Sequence, residues 1–296
     1  MLDANTFSNK EVIKYAQDNL VSLKLDVDKK EGSELFTAFN CTGMPTIIFL
    51  DSNGKEIDRL IGYLPPDQYQ KKVLDISSGI NTLSSLLKKY YDGQKAPDLI
   101  YNIAQKYVDK NDSENATKFF IELLSYPDLD YEMESNAKFQ LAYDEFKNGN
   151  INPLDQFIDD FKFTSLGKQA LFLMARFYKS SNDDTELKIY SQMLNLYPED
   201  PRVLNAYAWR MSELELNLVD ALEKVRYAVE LAHDNHDLQA GILDTEAELL
   251  WRMERFDEAI MTIEKSLKIN PDSMYFLDQK EKFLNSKKES EKLISS

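Results

Sequence analysis

The sequence predicts a chain of two characters, α/β at the front and all-α behind it. Three observations carry that reading. Residues 46–50 and 56–61 are runs of strand formers on either side of Asp51-Ser52-Asn53-Gly54, and Val21, Leu23, Leu25 and Val27 alternate with polar residues. From about Leu83 onward the periodicity is helical alone. Pro127, Pro198 and Pro271 each follow an amphipathic stretch, and their separations of 71 and 73 residues are each close to two units of about 36.

In chain order, Ser8 followed by Glu11 has the spacing of a capping box and predicts a helix from about Asn9 to Asn19. The alternation at residues 21–27 predicts a strand with one face on a core. SELFTAF predicts a short helix leading through Cys41-Thr42-Gly43-Met44 to Pro45. The two strands that follow should form a hairpin, because Asn-Gly supplies the positive φ angles such a turn needs. Pro65 and Pro66 then open a helix to about Ile76, since proline is tolerated where no intrahelical N–H is required.

The remainder divides into five antiparallel helix pairs, roughly 97–126, 131–162, 167–197, 202–233 and 242–270, and a capping helix from about Ser273 to Leu293. Leu218, Leu222, Val225, Val229 and Ala232 step by four and three and form one stripe. In the last pair, Leu243, Ala247, Leu250 and Trp251 face Ala259, Ile260, Ile263 and Leu267, with the alanines allowing close helix approach. The expected domains are residues 1–80 and 81–296.

Composition sets outer bounds on function. The 296 residues are 43% hydrophobic and carry a formal charge of −16, which repels phosphate backbones and anionic lipid surfaces, so nucleic acid is not an expected partner. No run of apolar residues is long enough to span a membrane, and MLDANTFSNK lacks the pattern of a secretory signal. Cys41 is the single cysteine, so neither an intrachain disulfide nor a cysteine-based metal site can form.

LDTEAELLWRMERFDEAIMTIEKSLKINPDS, residues 243–273, resembles a tetratricopeptide repeat. Ala247 and Ala259 stand where that family places small residues, and Pro271 where it places its closing proline. Residues 168–200 resemble it more loosely: Ala175, Tyr178 and Pro198 fit, whereas Glu186 stands near a usual small position. The resemblance covers about residues 96–272 and implies a concave groove that holds a peptide or protein partner.

DANTFSNKEVIKYA, LVSLKLDVDK, GMPTIIFLDSNGKEI and Gly62-Tyr63 together resemble the later part of a thioredoxin fold. The resemblance implies that Pro45 is cis and that Met44, Pro45 and Thr46 offer backbone to an extended client. It also implies a redox cysteine pair at the start of the helix whose later part is residues 1–19. That pair is not in these residues, so no catalytic residue is assigned. Cys41 falls where the family places a buried apolar residue and reads as a small core hydrophobe. The strand that normally separates 21–27 from the hairpin is also outside the sequence, which leaves unpaired edges. The expectation is a longer protein whose N-terminal portion carries the pair. The alternative is a half-domain that closes its sheet otherwise, for instance as a homo-oligomer.

Other signals read as structural. His233 and His236 fall at a helix end with no further ligand nearby, so no metal is assigned. Asp26, Asp28 and Glu31 before Gly32 read as a strand end and turn, because the glycine is one place late for a calcium loop. The adjacent pairs Asp159-Asp160 and Asp183-Asp184 point in different directions on a helix. No phosphate-binding or nucleophile-elbow motif occurs, and no cofactor is expected. The reading is a thioredoxin-like protein, performing thiol-disulfide exchange in its full-length form, whose repeats bind a protein or peptide client. The alternative is a non-catalytic adaptor that uses the repeat groove. Fusions of this kind resemble exported bacterial proteins, which implies an extracytoplasmic setting for a form with an upstream signal.

Overall fold

A computed structural model describes residues 2–179 and 181–295. It forms two compact units, Met1–Phe161 and Lys162–Ser296. In the first, a π-helical turn at Leu2–Thr6 precedes α1 (Lys10–Asn19) and α2 (Lys30–Ala38). The hairpin β1 (Thr46–Leu50) and β2 (Glu56–Ile61) follows, then α3 (Pro66–Ser77) and α4 (Leu83–Tyr91). Two helix pairs complete it: α5 (Pro97–Asp109) with α6 (Ser113–Leu124), and α7 (Tyr131–Lys147) with α8 (Asn152–Phe161).

The hairpin forms as its residues require. Thr46 pairs with Ile61 and Phe49 with Asp58, and the register slips between Phe49 and Leu50. Gly54 turns the chain at φ 78°, while the Asp51 carboxylate accepts from the amides of Asn53 and Lys55. Val12 of α1, Leu60 of β2, and Tyr69, Val73 and Ile76 of α3 make the core beneath it, with Ile47 and Phe49 packed alongside.

Two sequence expectations fail here. The capping residue of α1 is Asn9, whose side chain accepts from Glu11 and Val12, because the Ser8 hydroxyl instead bonds back to the Ala4 and Asn5 carbonyls of the preceding turn. Residues 21–26 are not a strand: Val21 is fully exposed, Leu23 is 77% exposed, and the described sheet contains only β1 and β2. An alternating pattern becomes a strand only when a ladder partner satisfies its backbone, and the described residues supply none. Gly32 holds the end of this segment close to α2, since a Cβ there would lie 2.0 Å from the Asp26 carbonyl oxygen.

The second unit consists of α9 (Ser165–Tyr178), α10 (Asp183–Leu196), α11 (Pro201–Leu214), α12 (Leu218–Leu231), α13 (His236–Arg252), α14 (Phe256–Ile269) and α15 (Met274–Ser295). Successive helices pack on one another, and α11 also packs on α13, the layering of stacked helical hairpins. The helix α13 begins at His236, six residues before the expected start, because Asn235 caps it by accepting from Leu238. Of the predicted stripe, Leu222, Val225 and Ala232 are buried while Leu218 and Val229 are half-buried, and Ala228 of α12 joins the buried face; Ala247 and Ala259 are both fully buried between α13 and α14. Trp251 packs at 6.1 Å from Phe283 of α15 and donates its indole N–H to Ser286. The histidines His233 and His236 flank the exposed α12–α13 turn.

Candidate functional site

The segment from α2 to β1 places Met44, Pro45 and Thr46 at the mouth of the hairpin. Phe39 closes α2, Asn40 takes a left-handed φ of 50°, and the Cys41 amide returns to the Phe36 carbonyl. The Met44–Pro45 peptide is cis. Thr46 donates its hydroxyl to the Gly43 carbonyl at 2.6 Å, and the Gly62 amide donates to the Pro45 carbonyl at 2.8 Å. Gly62 reaches that carbonyl at φ 84°, which a side chain would resist.

That last bond orients the strand. Successive residues of a ladder turn their N–H and C=O groups to opposite sides. With the Pro45 carbonyl facing β2, the main-chain groups of Thr46 and Ile48 face the other edge, where the described residues provide no strand. Met44 stands beside this edge with 68% of its surface exposed.

Behind the edge lies a charged cluster that sequence reasoning missed. Arg59 of β2 is 3% exposed and holds the Glu56 carboxylate through Nε at 2.8 Å and Nη2 at 2.7 Å. Its guanidinium also donates to the Phe39 carbonyl at the end of α2 and to the Asp109 carbonyl of α5. Next to it, Asp58 is 1% exposed, accepts the Arg59 amide, and pairs with Lys106 of α5 at 2.5 Å. Arg59 thus ties the start of the Met44 loop to β2 and α5. Charged side chains within a short strand, as in EIDRLI, were the only sign of it in the sequence.

Cys41 lies near this cluster, and burial raises its thiol pKa, against the lowering effect of the Arg59 charge. A raised pKa makes it a poor nucleophile at neutral pH. It is half-buried, not deep in the core.

Residues 1–77 match the family model described as a thioredoxin-like domain, and residues 241–273 match that of a tetratricopeptide repeat. The chain joins a thioredoxin-like domain to tetratricopeptide repeat structure. No curated protein matches the sequence. Among solved structures, it is similar to TTC0263, a thermophilic TPR protein of Thermus thermophilus, at 17% identity over 64% of this chain and 99% of that one, with a TM-score of 0.40. It is also similar to YrrB, described as a TPR protein with an unusual peptide-binding site, at 15% identity over 67% of this chain and 99% of that one, with a TM-score of 0.44.

The matched repeat comprises most of α13 and all of α14. One face of α13 carries Asp244, Glu248 and Trp251, and α15 meets it with Tyr275, Lys282 and Ser286. Glu248 is matched by two cations, Lys282 at 2.5 Å and Arg252 at 3.2 Å. Asp244 receives only the Tyr275 hydroxyl, at 3.1 Å, among the described residues. Burial pushes the Asp244 carboxyl up to about 6, with the Tyr275 hydrogen bond and Lys282 opposing the rise and Glu248 adding to it. Among the described residues no helix is long and apolar enough to cross a membrane.

Proposed function

We propose that the protein is a client-binding member of the thioredoxin family, in which the edge of β1 at Met44–Ile48 holds an extended segment of a protein client and the helical repeats recruit it. The division of labour falls between residues 80 and 81. The observation that carries this reading is the backbone of Thr46 and Ile48, which has no strand partner on that side among the described residues, beside exposed Met44. Such an edge gains main-chain hydrogen bonds from any added strand, the mode of β-augmentation. The charge of −16 favours a protein client over nucleic acid.

Hydrogen exchange tests it with reduced, carboxymethylated α-lactalbumin as an unfolded client. The Thr46 and Ile48 amides are expected to exchange freely in the protein alone and to slow at least about tenfold in the complex. Unchanged exchange at saturating client rejects this binding mode. Self-pairing of the same edge is the competing occupant, read as concentration-dependent dimerisation by sedimentation without client.

Dithiol turnover of the kind the family resemblance implies for the full-length form needs a second thiol to resolve the mixed disulfide, and Cys41 is the single cysteine of residues 1–296. Residues 1–296 are therefore expected to reduce insulin in dithiothreitol no faster than the reagent alone. A rate above background would assign exchange chemistry to Cys41 itself. With a single thiol in residues 1–296, the second reading is a non-catalytic adaptor whose repeats do the binding.

A further inference from the structure

The last turn of α5 reaches into the charged cluster behind β1 with three groups. Lys106 Nζ pairs with the buried Asp58 carboxylate at 2.5 Å, Lys110 Nζ stands 3.4 Å from the Glu56 carboxylate, and the Asp109 carbonyl accepts from Arg59 at 3.2 Å. By sequence α5 opens the helical part of the chain, yet its end is bound to β2 and lies in the same compact unit as the hairpin.

Arg59 stands between two helix ends. Asp109 is the last residue of α5 and Phe39 is the C-cap of α2, so both carbonyls it bonds are terminal groups that a helix cannot pair internally. The partial negative charge at each C-terminus favours a guanidinium there. One side chain thereby fixes the end of α2 against the end of α5, and Asp58 and Glu56 carry the same tie through their lysines.

The end of α2 in turn sets the Met44 loop. The left-handed turn at Asn40 and the bond from the Cys41 amide to the Phe36 carbonyl leave the stretch from Phe39 to Met44 little freedom, and the Gly62 amide holds the Pro45 carbonyl from the other side. Within the ladder Ile48 pairs with Arg59 itself. An edge held in shape before a client arrives avoids the cost of ordering it on binding.

We propose that the end of α5, through Lys106 and Lys110, positions the β1 edge for its client, which makes the first helical pair part of the binding apparatus of the thioredoxin-like domain. The inference rests on the reading of β1 as a client-binding edge and adds the residues that hold that edge in place. Lys106 and Lys110 act through Asp58, Glu56 and Arg59, so they are positioning residues.

The test uses the whole chain carrying Lys106→Met, Lys110→Met and Asp58→Asn together. This set breaks the tie to α5 without stranding a charge, because Glu56 keeps Arg59 and an asparagine oxygen can still accept the Arg59 amide. In the free protein, hydrogen exchange is expected to quicken about tenfold at the Cys41 and Gly62 amides and to stay unchanged at Val73 and Ile76 in the core of α3. Affinity for carboxymethylated α-lactalbumin is expected to fall about fivefold or more. Lys106→Arg alone, which keeps a cation facing Asp58, is expected to match wild type in both measurements. Unchanged exchange at Cys41 and Gly62 overturns the proposal, as does an equal acceleration at Val73 and Ile76, which marks a loss of overall stability. A Lys106→Arg protein as impaired as the triple variant also overturns it. Wild-type affinity in the triple variant overturns it and leaves client binding at β1 standing, whereas a wild-type protein whose Thr46 and Ile48 amides gain no protection from saturating client overturns both.

Discussion

Replacing Arg59 with methionine is expected to destabilise the first unit by about 3–5 kcal/mol, the scale for removing one partner of a buried, hydrogen-bonded charge pair. The side chain of Arg59 is 2% exposed and that of Glu56 11%, so solvent does little to compensate the loss. Methionine keeps much of the volume but abandons the Glu56 carboxylate and the carbonyls of Phe39 and Asp109. Both tryptophans, Trp209 and Trp251, lie in the second unit, so their fluorescence is the wrong probe. Far-UV circular dichroism in urea and exchange of the Ile57–Ile61 amides report the change. Replacing Glu56 by leucine in the same protein is expected to recover part of the loss, because it removes the stranded charge. An Arg59→Met protein with the wild-type midpoint would show that the cluster does not support the Met44 loop.

That cluster also marks where sequence reasoning stops. The hairpin was legible because its determinants are local: strand formers, an Asn-Gly turn, and a proline at the mouth. The helical repeats were legible because their period is carried by Ala247, Ala259 and the spaced prolines, whose packing consequences are the same in each hairpin. The strand expected at 21–27 was not realised, because pairing depends on a neighbour and alternation alone does not supply one. The cap at Ser8 lost to Asn9 for a similarly contextual reason, as the preceding turn offered Ser8 other acceptors. Arg59 joins residues separated by 20 and 50 positions, and no spacing rule reaches that far. Within the candidate site, Met44, Pro45 and Thr46 were named from resemblance. The burial of Asp244 is not legible in the sequence, because its contact with Tyr275 of α15 joins residues 31 positions apart.

Asp244 should make the second unit less stable as pH rises toward neutrality. Its folded pKa of about 6 lies above the ~3.9 of an unfolded aspartate, so the folded state holds the proton more tightly. The associated stabilisation is complete below about pH 4 and is lost as pH rises through about 6, an effect of up to about 3 kcal/mol. The second unit's paired carboxylates act in another window. Asp200, Glu213 and Asp220 have lowered pKa values, held down by their Lys168, Lys179 and Lys224 partners against burial, so their contributions fade only as pH falls below the usual carboxylate range. Between pH 4 and 7 the slope therefore belongs chiefly to Asp244, and urea titrations read by tryptophan fluorescence should show it. Asp244→Asn is expected to flatten that slope and to raise stability at pH 7 by about 1–2 kcal/mol, since a neutral amide avoids the buried charge. An unchanged slope would place the ionisation elsewhere.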